Sequence, residues 1–590
     1  MCVIIFAIWF ASNRDGAFLF DDRPNIAENK AVTGFAPRSL ESWEKAAFHS
    51  PARLRPLPYL TFAWQWRLHG QNLAAFHAAN DLFHGLAAAL LFLFLLELFH
   101  RHLPKLPGKI EPWHLAAAGA LIWAVHPAQT QAVTYVVQRM TVMAGMFSFA
   151  ALWLYLHARR VNSKKTYAAA AASYFLALLS KESAAALPVL VLLYELVAGS
   201  GEDPSVRRKR LILLSLSLMP PVLMATGYAA LSGAHFGAGQ LPGRTYTLAD
   251  RVLSAPRAYW KYLGLLLFPK NLALDHGMSV SQGILSPWTT LPAWLAGIPV
   301  LGTFFWLLRS DKKVVALGPL CFVLALAPES TFLNLELFYE HRLYFPSAFL
   351  LPLIPPGFLQ LAEQRPPFKI AAALALIFLA FAATTRTISR NRDWQSPVRL
   401  LEKNAVVTPE NARVHYNLGQ EFVREGKIED ALPHYLRAEE LGYAEAPFAI
   451  GTAYHQLGKA EEAMKAYERA LTKHPHPSEV WLNLGLLAKQ MRDPERAEKA
   501  YTRAIQEDPE NASAYSNLGN LLREQGRLDD ALKTLDYAAQ KFPDRGDIFL
   551  NRMLVFIQKE DMAAARKDWE KSRELGVPLA DKYAEFFKTP

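Results

Sequence analysis

The chain has 590 residues, 52% of them hydrophobic, with 63 Lys and Arg against 53 Asp and Glu, for a formal net charge of +10. The apolar residues concentrate in the first roughly 390 positions and the polar ones in the last about 200, which excludes a single water-soluble globule and points to two regions in different solvents. The basic residues fall in short loops between apolar runs, so the positive charge is a topology signal rather than a nucleic-acid surface; the two cysteines, Cys2 and Cys321, lie inside apolar runs and exclude a disulfide framework or zinc site.

A bilayer span takes about 20 apolar residues. In chain order the runs lie near 1–12, 76–99, 114–126, 140–158, 166–180, 184–199, 210–232, 291–308, 314–328, 343–363 and 368–386, several of them short. They predict about 11 spans. The first run either uses residues beyond Ser12 or lacks part of a span, and no basic stretch precedes it as in a cleaved signal peptide. The basic loops are "RHLPKLPGK" (101–109), "ARRVNSKK" (158–165), "RRKR" (207–210), "RSDKK" (309–313) and "EQRPPFK" (363–369). All five fall in the cytosol if the N-terminus does, provided the amphipathic stretch 253–269 lies in the interface or re-enters without crossing.

This topology gathers the unusual polar residues on the opposite face. Asp21 and Asp22 in the loop 13–75 face outward, as do 126–139, 180–188, 233–290 and 329–347. Ionisable residues near membrane depth are costly and usually functional.

From Ala412 the sequence repeats with a period of about 34. "NLGQEFVREGKIEDALPHYLRAEEL" (417–441) is followed by copies at 449–475, 483–509 and 517–543 and a divergent fifth at 551–575. The pattern is that of tetratricopeptide repeats: a small residue in the first helix, Ala and then an aromatic in the second, and Pro at the close. Gly419, Gly451, Gly485 and Gly519 let paired helices approach, as do Ala431, Ala463, Ala497, Ala531 and Ala565. The expected domains are a polytopic membrane domain 1–390, a connecting half-repeat 391–411, an array 412–581 and a tail 582–590. Asn417, Asn483, Asn517 and Asn551 recur at one repeat position. An amide ladder there offers donors and acceptors to an extended peptide; the plainer reading is that Asn is simply common at this position.

The outer face offers carboxylates, arginines, histidines and amides, with no Gly-rich phosphate loop, GxSxG elbow or zinc-spaced histidines. That set suits group transfer from a lipid-borne phosphate: a carboxylate takes a proton from an incoming hydroxyl, and cations stabilise the departing phosphate.

The segments "FLFDDRPNIAENKAV" (18–32), "RPLPYLTFAWQWRLHG" (55–70), "FHAANDLFHGLAA" (76–88), "HPAQTQAVTYVVQR" (126–139), "SKESAAALPVLVLLYEL" (180–196), "LALDHGMS" (272–279) and "YEHRLYFPS" (339–347) together resemble the tetratricopeptide-repeat membrane O-mannosyltransferases (TMTC-type) and their bacterial GT-C relatives. The resemblance covers essentially the whole chain and departs at the short first span. It implies an all-α fold, with a GT-C type membrane domain ahead of a tetratricopeptide solenoid. It implies inverting transfer of a sugar from a polyprenyl-phosphate donor to Ser or Thr of an extracytoplasmic protein bound by the array. It places the acidic catalytic motif at Asp21 and Asp22, one acid being the base and its neighbour orienting it or a divalent cation; the metal is otherwise undetermined.

Other candidates for the donor phosphate are Arg342, Arg139, Gln138, His341, Glu340, Lys181, Glu182, Asp275, His276, Arg55 and His126. Each has a structural alternative: Arg139 snorkels at a span end, Lys181 pairs with Glu182, His126 before Pro127 ends a helix, and Arg55 anchors its loop. The expected partners are the bilayer, the lipid-linked sugar and an acceptor protein. The expected location is a bacterial inner membrane with a periplasmic array, or an endoplasmic-reticulum membrane with a lumenal one. Transfer onto a lipid-linked glycan is an alternative function, and a non-catalytic scaffold displaying the repeats is another.

Overall fold

The computed structural model describes residues 1–52, 54–103, 110–198, 204–219, 222–223, 226, 246–309, 315–331, 335–363 and 368–587. The end of the run expected at 210–232, the start of the segment 233–290 and parts of the loops 101–109, 309–313 and 363–369 lie outside these residues. Regular structure among them is helical apart from one isolated bridge between Gly283 and Ser286. The chain divides into two compact units, Met1–Pro409 and Glu410–Pro590.

Among the described residues of the first unit, four helices are long and apolar enough to cross a bilayer: Leu73–His102, Val136–Val161, Thr290–Leu308 and Ile370–Asp393. Cys2–Asn13 and Leu317–Ser330 are apolar but shorter. Within the described residues, the other expected runs form shorter pieces. Residues 112–124 make the 13-residue helix Pro112–Ala124, and 184–199 becomes a turn, Glu182–Ala186, followed by the helix Leu187–Ala198. The run 343–363 is not one helix. Pro346 and Pro352 sit in successive 3₁₀ turns, Pro346–Phe349 and Leu351–Leu353, before the helix Ile354–Glu363, because proline lacks the N–H that a continuing helix needs.

Several buried polar groups tie the helices of this apolar unit together. The Trp9 indole donates to the Ala124 carbonyl at 3.2 Å. His84 bridges the Ala124 carbonyl at 2.9 Å and the Tyr344 hydroxyl at 2.8 Å. Tyr344 packs so closely on the helix Arg139–Val161 that a Cβ on Gly145 would stand 2.6 Å from its ring. Of the stretch 253–269, all but Phe268 and Pro269 lies in the helix Leu248–Leu267, which starts from a reciprocal cap between Thr247 and Asp250.

The half-repeat is the helix Pro397–Val407, and it belongs to the first unit. The Asn404 amide accepts from the Asp275 N–H and donates to its carbonyl, both at 2.8 Å, pinning this helix to the loop that carries Asp275.

The second unit is five helix pairs, from Ala412–Arg424 with Ile428–Glu440 to Gly546–Gln558 with Met562–Glu574. The five recurring alanines are fully buried. Phe587 stacks on Trp569 at 5.1 Å and is buried, so the expected tail closes the last repeat. A Cβ on Gly485 would meet the Tyr501 ring at 2.4 Å. Gly485→Ala therefore lowers stability by about 1–3 kcal/mol, read as a lower urea midpoint by circular dichroism of the full chain; an unchanged midpoint would mean that Tyr501 turns aside freely.

Candidate active site

The acidic loop leaves the helix Cys2–Asn13 and turns at Phe20, which has φ of 36°. Its two aspartates differ in exposure. Asp22 is fully buried, and its carboxylate accepts the Leu19 N–H at 2.9 Å and the Val137 N–H at 2.6 Å. Burial pushes its pKa up to about 8 against the pull of those donors. Asp21 is exposed, and its backbone N–H donates to the Tyr135 hydroxyl at 2.8 Å. Partial desolvation raises the Asp21 pKa, and the hydrogen bond from Tyr135 opposes the rise. Tyr135 is itself held by packing on Trp394, with ring centroids 5.5 Å apart.

A second group forms around a tight polar cleft of about 20 Å³ lined by Thr141, Ser148, Lys181, Glu329, His341 and Arg342. The Lys181 ammonium lies 3.0 Å from the Thr141 hydroxyl and 2.8 Å from Glu329. The other Glu329 oxygen is 3.4 Å from Arg342 Nε. Arg342 is 4% exposed, and its Nη1 is buried with no hydrogen-bond partner. His341 Nδ1 is also without one, while its backbone N–H donates to Gln131 at 2.8 Å. Burial, with help from Lys181, Arg342 and Arg55, holds His341 well below its usual pKa, hence neutral.

Arg55 does not merely anchor its loop: it forms a two-pronged pair with Glu182, Nε to Oε2 at 2.8 Å and Nη2 to Oε1. Burial opposes the Glu182 charge, but Arg55 outweighs it and holds the pKa at about 2. Lys181 pairs with Glu329 rather than with its neighbour Glu182. Burial lowers the Lys181 pKa, with Glu329 restoring part of the loss. Arg55, Lys181 and Arg342 against Glu182 and Glu329 give three positive charges to two negative, so the cluster keeps one net positive charge and a free buried N–H for an anion.

The remaining candidates divide. Arg139 is buried and committed: its guanidinium donates to Asn80, Thr61, Gln65 and the Phe76 carbonyl, and lies 4.5 Å over Phe62. The Gln138 amide accepts from Thr141. His126 accepts the Ala128 N–H and contacts the Leu266 carbonyl, which is the role of a helix-end cap. Glu340 and His276 pair at 2.7 Å, and the same Glu340 oxygen takes the Ala273 N–H at 2.6 Å. Asp275 caps its own loop through the Gly277 N–H at 2.9 Å. In the repeats, Asn551 ties to Ser516 of the preceding repeat and Asn483 to the Glu479 carbonyl of its own helix. Asn417 and Asn517 are half-buried and carry no side-chain hydrogen bond among the described residues.

Three further residues belong here that the sequence did not single out. Glu329 orders both cations, and Tyr135 holds the acidic loop. Arg390, at the end of the helix Phe368–Asp393, has Nε and Nη2 buried without hydrogen-bond partners while Nη1 lies 3.5 Å from Asp393. An arginine just past an apolar run looks like one that snorkels, so the sequence carried no signal for it.

Each Asp22 oxygen accepts one backbone N–H and keeps a further lone pair, so the carboxylates of Asp21 and Asp22 retain acceptor capacity for a cation. Among the described residues, no three His, Cys, Asp or Glu side chains converge as metal ligands.

These features define a helical membrane protein with a polar, cation-rich cleft and a separate repeat array. The tetratricopeptide-repeat family model matches residues 416–479, 482–546 and 517–575. The chain is 26% identical over 441 residues to a protein O-mannosyl-transferase of Caenorhabditis elegans, across 72% of this chain and 60% of that protein. It is also 26% identical over 480 residues to the protein O-mannosyl-transferase TMTC4 of Mus musculus, across 72% of this chain and 64% of that one. The chain thus spans about three fifths of the length of these curated relatives. Among solved structures, YrrB, described as a tetratricopeptide protein with an unusual peptide-binding site, aligns with 22% identity and a TM-score of 0.27, over 32% of this chain and 98% of that one.

Proposed function

We propose that this chain is an integral-membrane glycosyltransferase that moves a sugar from a polyprenyl-phosphate donor to Ser or Thr hydroxyls of an extracytoplasmic protein. The observation that carries the reading is the contrast within the acidic pair, one carboxylate exposed and one locked, in a protein whose other polar centre keeps an unsatisfied buried guanidinium N–H. Asp21 takes the proton of the acceptor hydroxyl, and that oxygen attacks the anomeric carbon. The bond from this carbon to the phosphate oxygen breaks, the phosphate leaves on its polyprenyl chain, and a single displacement inverts the configuration. Arg342 and Lys181 receive the phosphate charge. Asp22 holds the loop, Arg55 with Glu182 fixes the cation cluster, and Glu340 with His276 orders the neighbouring loop. The names of the relatives support a protein acceptor, and the array with its open amides at Asn417 and Asn517 is where that acceptor binds. The proposed setting is a bacterial inner membrane with the array in the periplasm.

The test is reconstitution in vesicles with polyprenyl-phosphate mannose and a Ser/Thr peptide, read by intact mass. A peptide gaining one hexose is the expected result. Removing 410–590 slows modification of a folded acceptor protein more than that of a short peptide. No hexose on either substrate, with donor present and the chain folded, overturns the reading in favour of a scaffold.

A further inference from the structure

A second cleft, of about 530 Å³, opens between the helices Arg139–Val161, Lys164–Ser180, Leu187–Ala198 and Pro204–Leu216. It lies at the C-terminal end of the helix Arg139–Val161, and the acidic loop meets the other end. The lining of this cleft begins at Ala151 and Leu187, about one helical turn from Ser148 and Ala184 of the polar cleft, and its two lysines lie at the far end, Lys164 standing about 25 Å from Lys181 along the helix Lys164–Ser180.

Its walls are apolar, with Leu187, Val191 and Leu213 among them, while its rim carries Lys164 and Lys209. Both lysines are exposed and make no ion pair among the described residues. The third rim cation, Arg210, is already neutralised: Glu195, fully buried, takes Arg210 at 2.9 Å, Arg159 at 3.0 Å and the Tyr155 hydroxyl at 2.7 Å. The Tyr174 hydroxyl is buried in the same cleft with no hydrogen-bond partner. A long apolar slot, two uncompensated cations at one end and an unused hydroxyl donor match an amphiphile with an anionic head.

We propose that this cleft binds an anionic glycerophospholipid of the cytosolic leaflet, its phosphate between Lys164 and Lys209 and its acyl chains along Leu187, Val191 and Leu213. The two rim lysines lie in the basic loops that the charge bias assigns to the cytosol. A polyprenyl donor with its phosphate at Lys181 holds that phosphate about 25 Å from Lys164 along the helix Lys164–Ser180, so a phosphate between the two rim lysines belongs to a different lipid. The proposal does not depend on the glycosyltransferase reading.

The experiment is native mass spectrometry of the full chain in detergent, titrated with phosphatidylglycerol or phosphatidylcholine. The parent is expected to hold one phosphatidylglycerol more tightly than phosphatidylcholine. Lys164→Gln with Lys209→Gln raises the apparent Kd for phosphatidylglycerol about 30-fold and leaves that for phosphatidylcholine unchanged. Leu213→Trp, which fills the slot and keeps the charges, lowers occupancy by both lipids. Equal affinity for the two lipids, a double variant that binds phosphatidylglycerol like the parent, or displacement of phosphatidylglycerol by an equimolar polyprenyl phosphate would each overturn it.

Discussion

Asp21→Asn is expected to lower kcat/KM for sugar transfer by about 10²–10⁴-fold while leaving the melting temperature of the chain unchanged. The amide keeps the size of the side chain and cannot accept the proton. Asp21 is exposed and its neighbour supplies the loop's internal hydrogen bonds, so nothing in the fold is lost with its charge. The pH profile separates this role from a merely structural one. A base works when deprotonated, and partial burial raises the Asp21 pKa. The acidic limb of kcat/KM therefore turns down at a higher pH than for an ordinary carboxylate, and Asp21→Asn removes that limb. Asp22→Asn behaves differently: an amide cannot accept at both ends, so either the Leu19 or the Val137 N–H loses its partner, and stability falls with activity. Full activity in Asp21→Asn would remove Asp21 as the base.

Much of this architecture is legible in the sequence. The array repeats at fixed spacing, and its glycines and alanines announce where helices touch, because such packing is local and recurs. The acidic loop was readable as a pair of adjacent acids at a membrane boundary. Which acid faces out was not: that depends on Val137, 115 positions away from Asp22, presenting its N–H to one of them. Lys181 and Glu182 illustrate the same limit. Adjacent in sequence and opposite in charge, they suggest a mutual pair, yet each takes a distant partner, Glu329 and Arg55. Arg139 and Arg342 look alike at span ends, and only the fold shows that one guanidinium is consumed by Asn80, Thr61 and Gln65 while the other keeps a free N–H. The interruption of an apolar run by prolines, as at Pro346 and Pro352, is not legible in hydropathy alone, which does not register a missing N–H.

Arg342→Ala should cost about 10²–10³-fold in kcat/KM for the lipid-linked donor, through both a higher KM and a lower kcat, because phosphate charge is present in the ground state and grows as the sugar departs. Arg342→Lys should recover only part of this. The guanidinium can face Glu329 with its Nε edge and still aim Nη1 into the cleft; a single ammonium cannot serve both directions. The loss should be nearly independent of pH, since arginine stays charged throughout, whereas the Asp21 loss follows the ionisation of a carboxylate. The two substitutions thus leave different signatures in one assay. A variant at Arg342 that alters the acidic limb instead, with donor KM unchanged, would mean that this cation acts on the base through the protein and not on the phosphate. Glu329 sharpens the distinction. It already neutralises part of Lys181 and Arg342, so an incoming phosphate competes with a carboxylate for the same donors. That competition weakens ground-state binding of the donor and leaves the cations available as the charge on the leaving phosphate grows, which is the direction in which interactions accelerate a reaction.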